Sequence, residues 1–174
     1  MTAWHEEAIG KHHDRKNFDC GNAVLNDFLQ KYARQSHDQG GSKTFLAVSD
    51  DDSKSVFGFY SLAPTSIDPG KVPVTVRKGL GRHEVPGFRL TRLAVDRRQQ
   101  SKGLGGQLML AAGRRCLRAA SEVGGAVLAI DAKNDRVAEW YKTYGAMPLV
   151  DSSLELVIPL ATLAEALRAA DHTI

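Results

Sequence analysis

A short glycine-rich segment, Gln100 to Gly106, has the composition of a phosphate-binding turn. It reads Gln-Ser-Lys-Gly-Leu-Gly-Gly, follows an apolar stretch that favours a strand, and precedes a stretch with helical periodicity. N–H groups at the start of a helix are free to bind an anion, glycines let a phosphate approach closely, and Lys102 adds a positive charge. The segment therefore predicts a site for a ligand that carries a pyrophosphate.

Two common phosphate-binding motifs do not match this segment. A dinucleotide fingerprint that starts at Gly103 would need a third glycine where Leu108 stands. A P-loop needs its lysine after the glycine, whereas Lys102 precedes Gly103. From these residues alone, a glycine-rich turn that only joins a strand to a helix remains a possible interpretation.

A tyrosine in the region 134–144 is the candidate proton donor. Val137, Trp140, Tyr141 and Tyr144 fall on one helical stripe, which is typical of core packing. A phenol of pKa about 10 is also protonated near neutral pH and can serve as a general acid. Packing and catalysis are therefore both open for Tyr141, while Tyr144 is interpreted as a packing residue.

Other reactive side chains give weaker signals. No general base stands out, although His83, Glu84 and Asp131 are candidates and a water molecule could serve. The pair His12 and His13 is predicted to lie in a solvated loop, because no further ligand follows at metal-site spacing. The two cysteines of the chain are widely separated and predict reduced, buried or half-buried thiols.

Charge is concentrated in one part of the chain. The 174 residues carry a net charge of +3, yet the stretch from Arg77 to Arg118 contains eleven basic residues and only two acidic ones, Glu84 and Asp96. Such a stretch suits an anionic ligand, either a cofactor phosphate or a nucleic-acid backbone. The chain has no apolar run of the roughly 20 residues that a membrane span needs, and its start does not resemble a signal peptide.

Hydrophobic periodicity predicts the elements that hold these residues in a single mixed α/β domain spanning residues 1–174. Residues 64–87, with four prolines, are predicted to form an irregular loop. In the first helix, Leu25, Phe28, Leu29 and Tyr32 are predicted to share the buried face. Strands are predicted at 44–48, 56–62, 88–95, 126–130 and 154–158, and helices at 22–34, 104–120, 134–144 and 161–170.

Several of these motifs together resemble a known enzyme superfamily. The pattern Gln100-x-x-Gly103-x-Gly105, followed by Trp140-Tyr141-x-x-x-Gly145, resembles the GNAT superfamily of N-acetyltransferases. Further segments resemble more narrowly the GNAT toxins of bacterial toxin–antitoxin pairs, which acetylate the amino group of aminoacyl-tRNA. These segments are Phe18-x-Cys20-Gly21-x-x-x-Leu25-x-x-Phe28-Leu29, Gly41-Ser42-Lys43-Thr44-Phe45, Arg92-Leu93-Ala94-Val95-Asp96 and Leu156-Val157-Ile158-Pro159-Leu160-x-x-Leu163.

The resemblance implies a GNAT fold, with a mixed central sheet and flanking helices, and acetyl-CoA as co-substrate without a metal. The pantetheine arm would lie along the strand 88–95 and bind main-chain groups there. Tyr141 would be the general acid. The residues expected to contact the cofactor are Leu93, Ala94, Val95, Gln100, Lys102, Gly103, Leu104, Gly105, Gly106 and Asn134.

The resemblance also implies partners and a cellular place. An aminoacyl-tRNA would be the acceptor, a ribbon-helix-helix antitoxin would neutralise the enzyme, and the protein would be a cytoplasmic homodimer. The side chains expected to meet tRNA phosphates are Arg77, Lys78, Arg82, Arg89 and Arg92. Two alternatives remain: a GNAT enzyme for a small-molecule or protein amine, and a catalytically silent domain that binds acyl-CoA.

Overall fold

The structure is a computed structural model that describes residues 3–172. Within these residues the main chain forms seven strands and six α-helices, together with one π-helical and two 3-10 turns. The strands are β1 (Trp4–Ala8), β2 (Lys43–Ser49), β3 (Val56–Ile67), β4 (Val85–Val95), β5 (Val127–Asp131), β6 (Met147–Pro148) and β7 (Glu155–Pro159). The helices are α1 (Ala23–Asp27), α2 (Ala33–Gln39), α3 (Val74–Arg77), α4 (Leu104–Val123), α5 (Asp135–Lys142) and α6 (Leu160–His172).

The strands form one mixed sheet in the order β1-β2-β3-β4-β5-β7-β6. β4 and β5 are parallel, whereas β1–β2, β2–β3, β5–β7 and β6–β7 pair antiparallel. A parallel pair requires a crossover connection, which α4 supplies. The mixed sheet with flanking helices that the sequence predicts is confirmed. No helix among residues 3–172 is both long and apolar enough to cross a membrane.

The chain divides into two compact units, and β4 and α4 each contribute to both. Unit 1 holds the described residues up to Ala63 together with Thr91–Leu110, and unit 2 holds Pro64–Leu90 and the chain from Ala111 onwards. In the core of unit 1, Phe18 packs edge-on against Phe59 with ring centroids 5.6 Å apart. The core of unit 2 is largely aliphatic and includes Val85, Val127 and Val157.

The first predicted helix contains a π-helical turn that shifts its buried face. In Phe28–Tyr32, the N–H of Ala33 donates to the carbonyl of Phe28, five residues earlier. A π turn holds more residues than an α turn and so rotates the residues that follow it. Leu29 and Ala33 are fully buried, whereas Tyr32 is 60% exposed. The prediction for Phe28 and Leu29 is confirmed, and the prediction that Tyr32 is buried was wrong.

Three other parts of the chain differ from the sequence prediction, one of them the two-residue strand β6, which was not predicted. β1 was not predicted, because Trp4-His5-Glu6-Glu7-Ala8 lacks apolar alternation and becomes a strand by pairing with β2. The region 64–87 is more ordered than predicted, since β3 extends to Ile67, a 3-10 turn and α3 follow, and β4 begins at Val85. The helix predicted at 22–34 continues through α2 to Gln39, five residues beyond its predicted end. The remaining predicted elements are present, with ends shifted by at most three residues.

Candidate active site

The turn that joins β4 to α4 is built on the buried carboxylate of Asp96. Its Oδ1 accepts hydrogen bonds from the main-chain N–H and the Nε–H of Arg98, at 2.9 and 3.0 Å, and its Oδ2 accepts the N–H of Asp19 at 3.1 Å. Burial alone would raise the pKa of this carboxyl, but these hydrogen bonds hold it below its ordinary value. Sequence analysis gave Asp96 no anchoring role, counting it as a charge and as the end of the motif Arg92–Asp96, although its place directly after an apolar strand was a signal for that role.

Gln100 is held by main-chain carbonyls of the same unit. Its side-chain nitrogen donates to the carbonyl of Val95 at 2.9 Å and to the carbonyl of Cys20 at 3.0 Å. A primary amide has two N–H bonds, and both are used here. Gln100 therefore shapes the turn, and its amide could donate to a phosphate only by giving up one of these bonds.

The main chain after Gln100 leads into α4, and the first N–H groups of α4 have no acceptor within the helix. Ser101 and Gly103 have φ angles of 64° and 87°. A Cβ on Gly103 would meet nothing within 4 Å, so the left-handed conformation, and not lack of space, favours glycine there. The N–H of Gln107 donates to the carbonyl of Gly103 at 3.2 Å and closes the first turn of the helix.

This helix start fits a pyrophosphate. The N–H groups of Leu104, Gly105 and Gly106 precede the first helical hydrogen bond and have no acceptor within the helix. Lys102 is exposed immediately before them. Free N–H groups, the positive end of a helix of 20 residues and an adjacent ammonium together suit a doubly charged ligand.

Leu93, Ala94 and Val95 lie at the carboxyl end of β4. The parallel register between β4 and β5 runs from Gly87 and Val127 to Leu90 and Ile130, so Thr91–Val95 continues beyond the last pair. An extended ligand can pair with main chain of this kind through hydrogen bonds, as an added strand would. The family resemblance predicts this arrangement for pantetheine.

Gly58 on β3 allows β3 and the carboxyl end of β4 to approach each other closely. A Cβ on Gly58 would lie 2.9 Å from both the carbonyl oxygen of Ala94 and the Cδ1 of Leu108. Only glycine therefore lets β3 lie directly against both the end of β4 and α4. The strand end and the helix start that carry the predicted cofactor residues are positioned by this close approach within unit 1.

Asn134 caps α5 in unit 2. Its Oδ1 accepts the N–H of Val137 at 2.9 Å, and its main-chain carbonyl accepts the N–H of Ala138 at 3.0 Å. Asn134 is exposed. Because the cap uses only the oxygen of the side chain, the amide nitrogen is the part of Asn134 that suits contact with a cofactor.

Tyr141 is buried in α5, with 5% of its surface exposed. Its ring meets that of Trp140 edge-on at 4.9 Å, and Trp140 in turn contacts Tyr144 at 5.2 Å. Burial, and to a smaller degree Tyr144, raises the pKa of Tyr141 well above its ordinary value. Tyr141 is therefore a protonated phenol at every pH at which the protein would work, and Tyr144 is half-buried beside the same indole.

The five basic residues predicted to meet tRNA have different surroundings. Lys78 and Arg82 are exposed, and Arg77 is half-buried in the last turn of α3. Arg89 forms an ion pair with Asp131 at 2.8 Å. Arg92 belongs to unit 1, where its guanidinium stacks on Phe28, 3.6 Å from the ring centroid, and burial lowers its pKa.

Of the candidate general bases, the two carboxylates already have partners. Asp131 accepts from Arg89, and Glu84 accepts the hydroxyl of Ser66 at 2.8 Å. His83 is exposed in the segment before β4. The positions of these side chains do not favour any of them as the base.

The prediction that His12 and His13 lie in a solvated loop was wrong for His13, which is buried. Glu7, His12 and His13 place their ligand atoms within 4.8 Å of one another. However, Nδ1 of His13 accepts the N–H of Gly10 at 2.9 Å, which puts the proton on Nε2, 3.0 Å from Glu7. The Glu7 carboxylate is therefore held by hydrogen bonds with histidines, and its Oε2 also lies 2.5 Å from Nε2 of His5. This group of Glu7 and its histidine partners is called the Glu7 hub below. Cys20 is half-buried and Cys116 buried, and neither forms a disulfide, as predicted.

A curated protein of stated activity is similar to about three quarters of this chain. A tRNA-acetylating toxin of Mycobacterium tuberculosis (strain ATCC 25618 / H37Rv) is 38% identical over 128 residues, which are 74% of this chain and 75% of that protein. This chain belongs to the GNAT toxin family. A second GNAT toxin relative, the probable toxin TacT of Sinorhizobium fredii (strain NBRC 101917 / NGR234), is 28% identical over 159 residues, or 87% of each chain. No protein-family model matches the chain.

Solved structures of GNAT toxins have the same fold. A tyrosine-to-phenylalanine mutant of KacT has a TM-score of 0.87 and 28% identity and covers 94% of this chain and 98% of its own. AtaT complexed with acetyl-methionyl-tRNAfMet has a TM-score of 0.87 and 25% identity and covers 94% and 99%. AtaTR bound with acetyl-CoA has a TM-score of 0.80 and 25% identity and covers 94% and 97%. The GNAT toxin fold that the sequence predicts is therefore confirmed.

Proposed function

We propose that this protein transfers the acetyl group of acetyl-CoA to the α-amino group of an aminoacyl-tRNA and thereby inhibits translation. The observation that carries the proposal is the 38% identity to a tRNA-acetylating toxin over three quarters of that protein. The structural neighbours support it, because AtaT binds acetyl-methionyl-tRNAfMet and AtaTR binds acetyl-CoA.

The cofactor would be held mainly by main-chain groups of unit 1. The N–H groups of Leu104, Gly105 and Gly106 and the ammonium of Lys102 bind the pyrophosphate, with Gly103 setting the turn. Main-chain groups of Leu93, Ala94 and Val95 bind the pantetheine arm. Gln100 acts by fixing the conformation of the turn. The side-chain amide nitrogen of Asn134 is proposed from the family resemblance to contact the cofactor.

In the reaction, the neutral amine attacks the thioester carbonyl carbon, the carbon–sulfur bond breaks, and the leaving thiolate takes a proton. Tyr141 supplies that proton, since its raised pKa keeps the phenol protonated at working pH. Burial also disfavours a lasting phenolate, so the proton that the amine loses must return to Tyr141 through water for the step to be complete. The α-amine of an aminoacyl ester is less basic than a lysine, so water can accept the proton that the amine loses. This role for water agrees with the partnered state of Glu84 and Asp131.

The acceptor and regulatory partners follow from family membership. Lys78 and Arg82, which are exposed, and Arg77 would contact tRNA phosphates directly. Arg89 and Arg92 would do so after loosening their interactions with Asp131 and Phe28. The protein would be a cytoplasmic homodimer that an antitoxin of the ribbon-helix-helix type neutralises.

The experiment that tests this function follows labelled acetyl groups into three kinds of acceptor. Purified protein is incubated with labelled acetyl-CoA and charged total tRNA, together with a protein extract and a polyamine. Label in tRNA that mild alkali releases as an N-acetyl amino acid supports the proposal. Label only in protein or polyamine would assign the enzyme to another amine, and an absence of transfer despite acetyl-CoA binding would indicate a silent binding domain.

A further inference from the structure

A groove in unit 1, outside the residues assigned to acetyl-CoA, is lined only by long polar side chains. It encloses about 450 Å³ beside the π-helical turn and α2. Its lining consists of Arg15, Lys31, Arg34, Asp38 and three glutamines, so the cationic side chains outnumber the single carboxylate by two. No residue of the acetyl-CoA site or of the predicted tRNA-contacting set belongs to this lining.

Arg15 is fixed at this groove by the π-helical turn. Its Nη1 donates to the carbonyls of Leu29 and Gln30, each at 3.3 Å, and both carbonyls belong to the π-helical turn. Its Nε is buried without a hydrogen-bond partner among the residues that the structure describes. Burial, and secondarily the charge of Arg34, lowers the pKa of Arg15, as expected where positive charge is not neutralised.

The ion pairs at the groove do little to neutralise it. Lys31 lies 3.6 Å from Asp27, and both side chains are more than half exposed. Arg34 approaches Asp38 only to 3.9 Å. Exposed pairs of this kind contribute little and exchange readily with other anions. Neither pair involves Arg15, so a ligand with negatively charged oxygens would complete the set of interactions.

We propose that the groove of Arg15, Lys31 and Arg34 binds a backbone phosphate of the RNA substrate. This inference rests on the proposed function and adds to it a second anchoring surface. Guanidinium groups match the geometry of phosphate oxygens, and the glutamine amides can donate to them. An acidic peptide is a poorer fit, since peptide grooves use apolar anchors and the lining of this one has none.

The test compares the double variant Lys31→Gln/Arg34→Gln with the matched control Lys11→Gln/Lys54→Gln, which removes two exposed charges of unit 1 that do not line the groove. Binding of uncharged total tRNA is measured across a salt series, with thermal melting to verify folding. The groove variant should bind tRNA on the order of 10-fold more weakly, with a salt slope smaller by roughly 0.7–0.9 for each phosphate that is no longer neutralised. Arg34→Lys, which keeps the charge but loses the guanidinium geometry, should keep the salt slope of the wild type and bind with an affinity between those of the wild type and the double variant.

Three results would overturn the inference. Affinity and salt slope equal to those of the control would show that the groove does not meet RNA. Weaker binding of coenzyme A or inorganic phosphate, with tRNA binding intact, would assign the groove to another phosphate. Loss of binding to an acidic peptide alone would assign it to a protein partner. Failure of the proposed function is distinguishable, because the wild-type protein would then not acetylate charged tRNA at all.

Discussion

The side-chain amide of Gln100 donates to the main-chain carbonyl of Val95, so the end of β4 and the turn before α4 are fixed to each other. The strand end is proposed to bind the pantetheine arm, and the helix start is proposed to bind the pyrophosphate. One side chain therefore sets the spacing between the two parts of the cofactor site. The second bond of Gln100, to Cys20, ties the same turn to the segment before α1.

Replacing Gln100 should weaken acetyl-CoA binding through geometry. Gln100→Ala removes both hydrogen bonds, and we expect calorimetry to show an affinity lower by on the order of 10-fold. Gln100→Glu should be worse, because a carboxylate would face two carbonyl oxygens and repel the phosphates. Equal acetyl-CoA affinity in the wild type and both variants would show that the hydrogen bonds of Gln100 do not affect cofactor binding.

The role of Gly103 can be separated from simple backbone strain. Gly103 and Gly79 both have φ of 87°, and a Cβ on either would meet nothing within 4 Å. Alanine at each position should therefore cost roughly 1–2 kcal/mol of unfolding free energy for the same reason. Denaturant unfolding and coenzyme A titration are measured together. Only Gly103→Ala should also weaken coenzyme A binding, and a similar loss in Gly79→Ala would count against the site.

Tyr141→Phe should lower kcat by roughly 10²–10⁴-fold and leave acetyl-CoA affinity unchanged, as for loss of a general acid. Tyr144→Phe is the matched control and should retain most of its activity, since Tyr144 is interpreted as a packing residue beside Trp140. If Tyr144→Phe were the inactive variant, the assignment would have to be exchanged.

The pH dependence of kcat gives a second test of Tyr141. An acid whose pKa is raised by burial stays protonated to a higher pH than a free phenol. The rate should therefore not decline through tyrosine ionisation below about pH 10. A loss of kcat centred near pH 8 in the wild type, absent from the residual activity of Tyr141→Phe, would show that Tyr141 ionises there and would contradict a buried donor.

Asn134 can be tested by keeping its cap and removing its amide. Asn134→Ser retains an N-cap oxygen, whereas Asn134→Ala loses it at a cost of about 1 kcal/mol. If the amide nitrogen contacts the cofactor, both variants should bind acetyl-CoA more weakly, and only Asn134→Ala should melt at a lower temperature. Unchanged affinity in Asn134→Ser would leave Asn134 with the capping role alone.

The Glu7 hub should stabilise the protein most in mildly acidic solution. Hydrogen bonds from His5 first, and then from His13, lower the pKa of Glu7 to about 2, so its contribution is present above the ordinary value of 4.5 and is lost as pH falls through 2. Hydrogen bonds to Asp50 first and then Glu7 raise the pKa of His5, so its contribution is full below 6.5 and is lost at higher pH.

Glu7→Gln should therefore lower Tm more at pH 5.5 than at pH 8.5. Glu122→Gln, an exposed change at the end of α4, serves as the control and should have little effect at either pH. If thermal melts show the same decrease in Tm for Glu7→Gln at both pH values, the Glu7 hub stabilises the protein through packing and not through charge.

The sequence predicted the elements whose signals are local. The glycine turn, α4 and the apolar β5 all combine periodicity with a clear boundary, and each is present. The inserted residue of the π-helical turn has no such signal, so Tyr32 was assigned to the wrong face. β1 is polar and depends on its pairing with β2, which a window of sequence does not contain.

The residues of the candidate site stay a prediction from the sequence, and their internal hydrogen bonds are visible only in the structure. Lys102 and Gly103 could be named because phosphate chemistry requires their types and spacing. The bond from Gln100 to Cys20 spans 80 positions and arises only from the fold. For the same reason, the groove at Arg15 could not be predicted, because Arg15 joins Lys31 and Arg34 only through carbonyls of the π-helical turn.

The most direct test of the central claim is titration of the folded protein with coenzyme A and with pantetheine, which lacks the pyrophosphate. If the main-chain N–H groups at the start of α4 bind the phosphates, coenzyme A should form a saturable complex and pantetheine should bind at least about 100-fold more weakly. Equal affinity for the two ligands, or no complex with coenzyme A, would contradict the account.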